Sequence, residues 1–197
     1  MRRPVILFMP ILILLAACSS TPSADSGTAT EPSASASVGS QFVTSRCAIQ
    51  GGDPTAESAA PILGTTMSGV TVAQAKAPVI TIAPALPAAT EVQTKTLITG
   101  KGKVLKASDT LTFNYCGVGL VSQAQFDSSW ANGAPLTYDL AGLIPGWSVG
   151  MPGMKIGEQR LLIIPGAQGY GPTPPAGSGI LPDESLVFVV ELVSIGK

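Results

Sequence analysis

The feature that most constrains this chain is a run of strict alternation in its C-terminal half. Apolar Leu111, Phe113 and Tyr115 alternate with residues that are mostly polar. Because successive side chains of a β-strand point to opposite faces, this period of two predicts a half-buried strand. Three further segments read as strands in the same way: Leu136–Leu140, Arg160–Ile164 and Leu186–Ile195.

One short helix interrupts these strands. Pro145 suits a first helical turn, where a missing N–H leaves no bond unmade, and Pro152 with Gly153 ends the helix after two turns at most. Strands with one short helix predict an α+β domain, an antiparallel sheet wrapped around that helix.

Five ordered blocks carry a family resemblance over roughly Leu97 to Val193. They are Phe126-Asp127-Ser128-Ser129, Leu143-Ile144-Pro145-Gly146-Trp147, Gly153-Met154-Lys155-Ile156-Gly157-Glu158, Tyr170-Gly171 and Leu186 to Leu192. In this order they resemble the FKBP family of peptidyl-prolyl cis-trans isomerases. The resemblance implies a half-barrel fold over residues 94–197 and an apolar pocket that binds proline.

The resemblance also implies a role for each pocket residue. Trp147 would be the floor under the proline ring, while the Ile144 N–H and the Tyr170 hydroxyl would donate to substrate carbonyls. The implied catalytic set is Tyr115, Phe126, Asp127, Trp147, Tyr170 and Phe188. The implied substrate-binding set is Leu136, Tyr138, Leu143, Ile144 and Ile180. Read alone, each apolar residue could be plain core, and Asp127 could be a cap or an Asx-turn.

Composition agrees with chemistry that needs no nucleophile. The chain has no histidine, which excludes Ser-His-Asp and Cys-His catalysis and every His-based metal site. Rotation about an X-Pro bond breaks no covalent bond, so an apolar pocket that favours the twisted amide suffices. No metal or cofactor is expected.

The chain departs from the family pattern around the pocket. Leu136 stands where an aromatic is often found, and Asn132 replaces a basic residue that often pairs with the aspartate. The connection Leu120–Gln125 and the proline-rich loop Pro172–Gly179 are longer than usual. These changes leave the implied floor and donors in place and bear on substrate preference and macrolide affinity.

The N-terminus is typical of an exported lipoprotein. Arg2 and Arg3 precede an apolar run from Val5 to Ala17, which is too short to span a bilayer but fits a signal peptide, residues 1–17. Leu15-Ala16-Ala17-Cys18 resembles a lipobox, so Cys18 is expected to be lipidated; an ordinary secretory signal is the alternative. Residues 18–41 are rich in Ser, Ala, Thr and Pro and predict a disordered tether.

These features define the expected location and partners. Without Arg2 and Arg3, the eleven basic residues become nine against twelve acidic ones, and a mildly acidic surface argues against nucleic acid. The expected protein is a monomer, lipid-anchored on the extracytoplasmic face of a bacterial membrane. Its partners would be proline-containing exported polypeptides and, from the resemblance, macrolide inhibitors such as tacrolimus and rapamycin.

Residues 42–93 are the segment whose structure and role are hardest to predict from the sequence. Proline and glycine break their apolar content, so they read as an irregular, partly ordered extension or, alternatively, as a cover for one face of the next domain; Thr71-Val72 and Val79–Ile82 could be short strands within it. Because Tyr115 would face the pocket, Cys116 and the valines Val187 and Val189 should face outward. We therefore expect the extension to pack on that outer face with Cys47 bonded to Cys116, the alternatives being free thiols or pairing between molecules.

Two functions from other classes remain beside the isomerase. A chaperone module could hold proline-containing segments in the same pocket with little turnover. An envelope scaffold could instead interact through the extension. The joint presence of Asp127, Trp147 and Tyr170 favours the isomerase over both.

Overall fold

The computed structural model describes residues 41–52, 55–57 and 64–196. The signal peptide, Cys18 and nearly all of the tether predicted from the sequence lie outside the described residues. Within the described part, no helix is long and apolar enough to cross a membrane.

The C-terminal region is built on a six-stranded antiparallel sheet. Its strands are β6 (Gln93–Ile98), β7 (Thr110–Gly119), β8 (Gln125–Ser128), β9 (Leu136–Asp139), β10 (Gln159–Ile164) and β11 (Leu186–Ile195). Their order is β6-β10-β11-β7-β8, and β9 pairs with the other half of β7. The long strand β7 is therefore the one predicted from the alternation, and the three other predicted strands are present.

Two short α-helices and two 3₁₀ turns, Leu140–Gly142 and Gly166–Gln168, accompany this sheet among the described residues. Helix α2 runs from Pro145 to Gly150 with the proline in its first turn, as the sequence predicts. Helix α1, Ser129–Asn132, was not expected; the Ser128 hydroxyl caps its N-terminus, and Gly133 ends it in the left-handed conformation with φ of 81°. The domain is mixed α+β and mostly sheet.

The inner face of the large sheet holds the main hydrophobic core. This inner cluster joins side chains from β7, β10 and β11 to α2 and to residues of the connecting loops. Its buried members are Leu105, Leu111, Phe113, Leu140, Trp147, Met151, Met154, Leu162, Ile164, Ile180, Leu186, Phe188, Val190 and Leu192. Alternate residues of the same strands point to the opposite, outer face.

The N-terminal extension forms a second antiparallel sheet. Its five strands are β1 (Phe42–Arg46), β2 (Thr55–Glu57), β3 (Thr65–Met67), β4 (Val70–Ala73) and β5 (Val79–Ile82), in the order β2-β1-β5-β4-β3. The expectation of an irregular segment is thereby corrected, while the short strands considered at Thr71-Val72 and Val79–Ile82 are present as β4 and β5. The strands are only three to five residues long, so none offers the extended alternation that identifies β7.

The small sheet packs on the outer face of the large one, as the alternative interpretation proposed. The shared outer cluster is fully or almost fully buried and contains Cys47, Val70, Val72, Ile80, Ile82, Cys116, Val118, Leu120, Leu161, Ile163, Val187 and Val189. Burying a side chain such as Val72 or Ile80 stabilises the fold by about 1.5–3 kcal/mol relative to exposure. The extension is therefore part of one continuous structure with the C-terminal sheet.

A disulfide crosses this interface. Cys47 is bonded to Cys116 over a Cα–Cα distance of 5.7 Å and a sequence separation of 69 residues. Both cysteines are 0% exposed. The pairing expected from the outward orientation of Cys116 is present in the structure.

Candidate active site

A cavity of about 310 Å³ opens on the inner face of the large sheet. Strands β7, β8, β9 and β11, helix α2 and the loop after β10 each contribute to its walls. It is lined by Phe113, Tyr115, Asp127, Asn132, Leu136, Tyr138, Leu143, Ile144, Trp147, Tyr170 and Phe188. Aromatic rings and aliphatic side chains thus enclose a few polar groups, which is the usual make-up of a small-ligand site.

Trp147 is held in place by three aromatic neighbours. Phe113, Tyr115 and Phe188 meet its ring edge-on, with centroid distances of 5.0, 5.8 and 5.2 Å. Such pairs contribute about 0.5–1.5 kcal/mol each beyond burial alone, so the indole orientation is well determined. Its Nε1 is buried and has no hydrogen-bond partner among the described residues.

A β-bulge brings two consecutive residues of β8 to the inner face. The pairing of β8 with β7 shifts register at Phe126, which is the extra residue of the bulge. Phe126 therefore packs against the inner cluster while Asp127 lines the cavity. Gly117 on β7 makes room, because a Cβ at this position would lie 2.3 Å from Phe126 Cζ.

Asp127 is the polar centre of the cavity. Its Oδ2 accepts a hydrogen bond from the Tyr115 hydroxyl, and its Oδ1 accepts one from Asn132 Nδ2 at 3.4 Å. Burial raises the pKa of the Tyr115 hydroxyl, and the bond to Asp127 raises it further. Tyr115 therefore remains a protonated donor at neutral pH.

Tyr170 stands at the rim, on the loop that follows β10. The Gly171 N–H donates to Gly166 O at 2.9 Å and the Asp183 N–H donates to Gly171 O at 2.8 Å, so the loop around the tyrosine is tied down. Burial, followed by the nearby charge of Asp127, raises the pKa of the Tyr170 hydroxyl. Its proton is therefore available for donation into the cavity.

Ile144, which also lines the cavity, contributes a backbone N–H. Ile144 precedes Pro145, which disfavours helical geometry, and it is extended with φ of −59° and ψ of 146°. Its carbonyl accepts the Trp147 N–H at 2.9 Å. No hydrogen bond between described residues uses its own N–H, which leaves that group free for a ligand.

Most residues implied by the resemblance line this cavity. Phe126 and Ile180 do not: Phe126 supports Phe188 edge-on at a centroid distance of 5.5 Å, and Ile180 is buried in the inner cluster. Sequence reasoning missed Phe113 and Asn132 as lining residues. Phe113 could have been found, because it precedes Tyr115 by two residues in the same alternation. Asn132 carries a signal only through the resemblance, since it stands where the family often has a basic partner for the aspartate.

The described residues contain no group of three or more His, Cys, Asp or Glu side chains that could hold a metal ion. The cavity combines an apolar floor and a hydroxyl–carboxyl pair with the Ile144 N–H and the Tyr170 hydroxyl, two donors that no hydrogen bond between described residues uses. This arrangement can bind a ring and hold the polar atoms on either side of it.

Comparison with known proteins gives a consistent result. The family model for FKBP-type peptidyl-prolyl cis-trans isomerases matches residues 101–193. An FK506-binding protein of Streptomyces anulatus is 41% identical over 98 residues, 49% of this chain and 79% of the relative. A probable FK506-binding protein of Corynebacterium glutamicum is 38% identical over 112 residues, 56% of this chain and 92% of the relative.

Among solved structures, FkpA from Escherichia coli is 32% identical, with a TM-score of 0.49 over 66% of this chain and 53% of that chain. The similarity to the two FK506-binding proteins extends over most of their length, and the family model spans every residue that lines the cavity. The chain belongs to the FKBP-type peptidyl-prolyl cis-trans isomerase family.

Proposed function

We propose that the cavity is the isomerisation site and that Trp147 is its floor. Rotation about an X-Pro bond faces a barrier of about 18–20 kcal/mol because amide resonance must be lost. A proline ring lying on Trp147 between Tyr115 and Phe188 would be held in an apolar, water-poor space. Stronger binding of the twisted amide than of either planar form lowers that barrier.

The polar groups have separate roles in this proposal. The Ile144 N–H and the Tyr170 hydroxyl hold substrate carbonyls, which fixes the chain on either side of the rotating bond. Asp127, with the Tyr115 hydroxyl, faces the carbonyl that turns, where charge shifts as resonance is lost. The observation that carries the assignment is that Trp147, Asp127, Tyr170 and Ile144 line one cavity.

We further propose that the protein acts on exported polypeptides from a lipid anchor at Cys18. The signal-like segment and the lipobox-like Leu15-Ala16-Ala17-Cys18 support this location. The buried disulfide between Cys47 and Cys116 agrees with it, because disulfides persist in oxidising compartments. Two acyl chains on one cysteine would suffice for stable anchoring.

Macrolide binding is part of the same proposal. The relatives from Streptomyces anulatus and Corynebacterium glutamicum are named for binding FK506, which is tacrolimus. In this chain Leu136 and Tyr138 form the rim that such a ligand would contact. We propose that tacrolimus occupies the proline cavity.

The decisive experiment measures cis-trans exchange of an X-Pro peptide by NMR with the full chain. We expect acceleration, and a fall in kcat/KM of about tenfold for Asp127→Asn, equivalent to about 1.4 kcal/mol of transition-state stabilisation. Asp183→Asn, on an exposed turn, is the matched control and should behave as wild type. A folded wild-type protein that leaves exchange at the uncatalysed rate would contradict the proposal and favour a holding module.

For the anchor, mass spectrometry of the mature protein should find a lipidated Cys18 at the N-terminus. Cys18→Ser should remove the lipid and move the protein out of the membrane fraction. A mature N-terminus at any other residue would contradict the anchor and leave the isomerase assignment untouched.

A further inference from the structure

The N-terminal extension reaches the cavity through one side chain. Gln50 Nε2 donates to Asn132 Oδ1 at 3.0 Å, and Asn132 Nδ2 donates to Asp127 Oδ1 at 3.4 Å. The other oxygen of Asp127 accepts from Tyr115. A hydrogen-bonded chain therefore runs from the extension, through Asn132, to the polar centre of the cavity.

Gln50 is presented by a well-anchored loop, Cys47–Gly52. The carbonyl of Cys47 accepts from the buried Ser128 hydroxyl at 2.6 Å, and that of Ile49 accepts from Gln125 Nε2 at 2.8 Å. Ser128 and Gln125 flank the bulge that aims Asp127 inward. The loop is thus fixed to the same strand that carries the carboxyl group.

The glycines after Gln50 make this close approach feasible. Gly51 and Gly52 have φ of 72° and 76°, in the left-handed region that other residues rarely adopt. A Cβ on Gly52 would lie 2.9 Å from the Cβ of Gln125. The Gly51-Gly52 pair therefore lets the loop turn tightly against β8 with Gln50 directed at Asn132.

The two ends of the Asn132 amide differ, and Gln50 determines which end faces Asp127. An asparagine side chain has a donating and an accepting end, and turning it over exchanges them. Because Gln50 occupies the accepting end of Asn132, the donating end faces Asp127. Without this partner the amide is free to turn its oxygen toward the carboxyl group, which would repel it.

We propose that Gln50 is a positioning residue for isomerisation, acting through Asn132 to hold Asp127 in its orientation against Tyr115. This inference rests on the catalytic role proposed above for Asp127. It assigns the extension a part in the reaction beyond covering the outer face. It also explains how an uncharged residue works at position 132, where the family often has a basic one.

The test is a double-mutant cycle in the full chain. Gln50→Ala should lower kcat/KM by about threefold, the size expected for one exposed neutral hydrogen bond, chiefly through kcat. In an Asn132→Ala background the same change should have no further effect, because the side chain that links Gln50 to Asp127 is already absent. Gln50→Glu, which puts an acceptor where the donor stood, should lower kcat/KM at least as much.

Gln74→Ala is the matched control. Gln74 is also an exposed glutamine of the extension, and its Nε2 donates to Leu97 O at 2.5 Å, away from the cavity lining. This variant should keep wild-type kcat/KM. All these positions are exposed, so equal thermal unfolding midpoints should show that the variants fold alike.

A spectroscopic readout separates positioning from general stability. The side-chain amide resonances of Asn132 should shift in Gln50→Ala and stay unchanged in Gln74→Ala. Unchanged kcat/KM in Gln50→Ala, or a full additional loss in the Asn132→Ala background, would overturn the inference. If Asp127→Asn lowers kcat/KM and Gln50→Ala does not, this inference alone fails; if Asp127→Asn has no effect, the role of Asp127 fails with it.

Discussion

Tyr115 and Cys116 are consecutive residues of β7 that serve opposite faces of the large sheet. The phenol of Tyr115 lines the cavity and bonds to Asp127, while the sulfur of Cys116 is bonded to Cys47 in the extension. The backbone that positions a proposed catalytic ring is therefore the same backbone to which the small sheet is cross-linked.

Removing this cross-link should lower stability strongly. Replacing both Cys47 and Cys116 with alanine should reduce the free energy of unfolding by about 4 kcal/mol, because a loop of this length is no longer closed in the unfolded chain. Urea denaturation of the oxidised wild type and the double variant measures the change. Reduced wild type should resemble the variant; equal midpoints in all three would contradict the prediction.

Buried residues of the extension should contribute to the free energy of unfolding as much as residues of the main core do. Ile80 on β5 is 0% exposed, so Ile80→Ala should cost about 2–5 kcal/mol of unfolding free energy through the cavity it leaves. Ile98→Ala on β6 is the matched control, since Ile98 is 40% exposed. Thermal or urea unfolding compares them, and equal small losses would show that the two sheets do not share a core.

The free energy of unfolding should fall at alkaline pH because two tyrosines that line the cavity ionise less readily in the folded state. Unfolded tyrosine ionises near pH 10, whereas burial raises the pKa of Tyr115 and Tyr170 in the folded state. Above that pH the unfolded chain binds fewer protons, so the free energy of unfolding decreases as pH rises; below it the contribution is fully present. Tyr115→Phe should flatten this decrease, as followed by urea unfolding between neutral and alkaline pH.

Tacrolimus should quench or shift the fluorescence of Trp147 if it fills the cavity. Trp130 lies on α1 and packs toward the outer cluster, so Trp130→Phe should retain the response and Trp147→Phe should lose it. Leu136→Phe should tighten binding by roughly 0.5–1.5 kcal/mol, because it adds an aromatic contact at the rim. A response that survives Trp147→Phe would place the macrolide elsewhere.

Local signals made much of the large sheet predictable. The alternation around Tyr115 assigns β7 and also the face of each side chain, because the strand period is two. Pro145 similarly locates the start of α2 through its fixed φ and missing N–H. The residues of the aromatic cavity come from the family resemblance; once Tyr115 faces that cavity, the outward orientation of Cys116 follows from the strand period.

Other features depend on contacts that no local pattern records. The bulge at Phe126 turns two consecutive residues to one face, which strict alternation would forbid. The small sheet has strands too short to show a period, and its buried face is defined only once β11 and β7 are beside it. The bond from Gln50 to Asn132 exists because that sheet docks, so the sequence around Gln50 gives no sign of it.

The packing of the two sheets also imposes an order on how the chain can mature. Val70, Val72 and Ile80 leave the ribosome long before Val187 and Val189, against which they pack. Until β11 is made, the small sheet has an apolar face with nothing to cover it, the kind of surface that promotes aggregation. During synthesis, this early segment therefore exposes apolar surface that stays uncovered until the C-terminal strand is complete, in a chain that belongs to a family of prolyl isomerases.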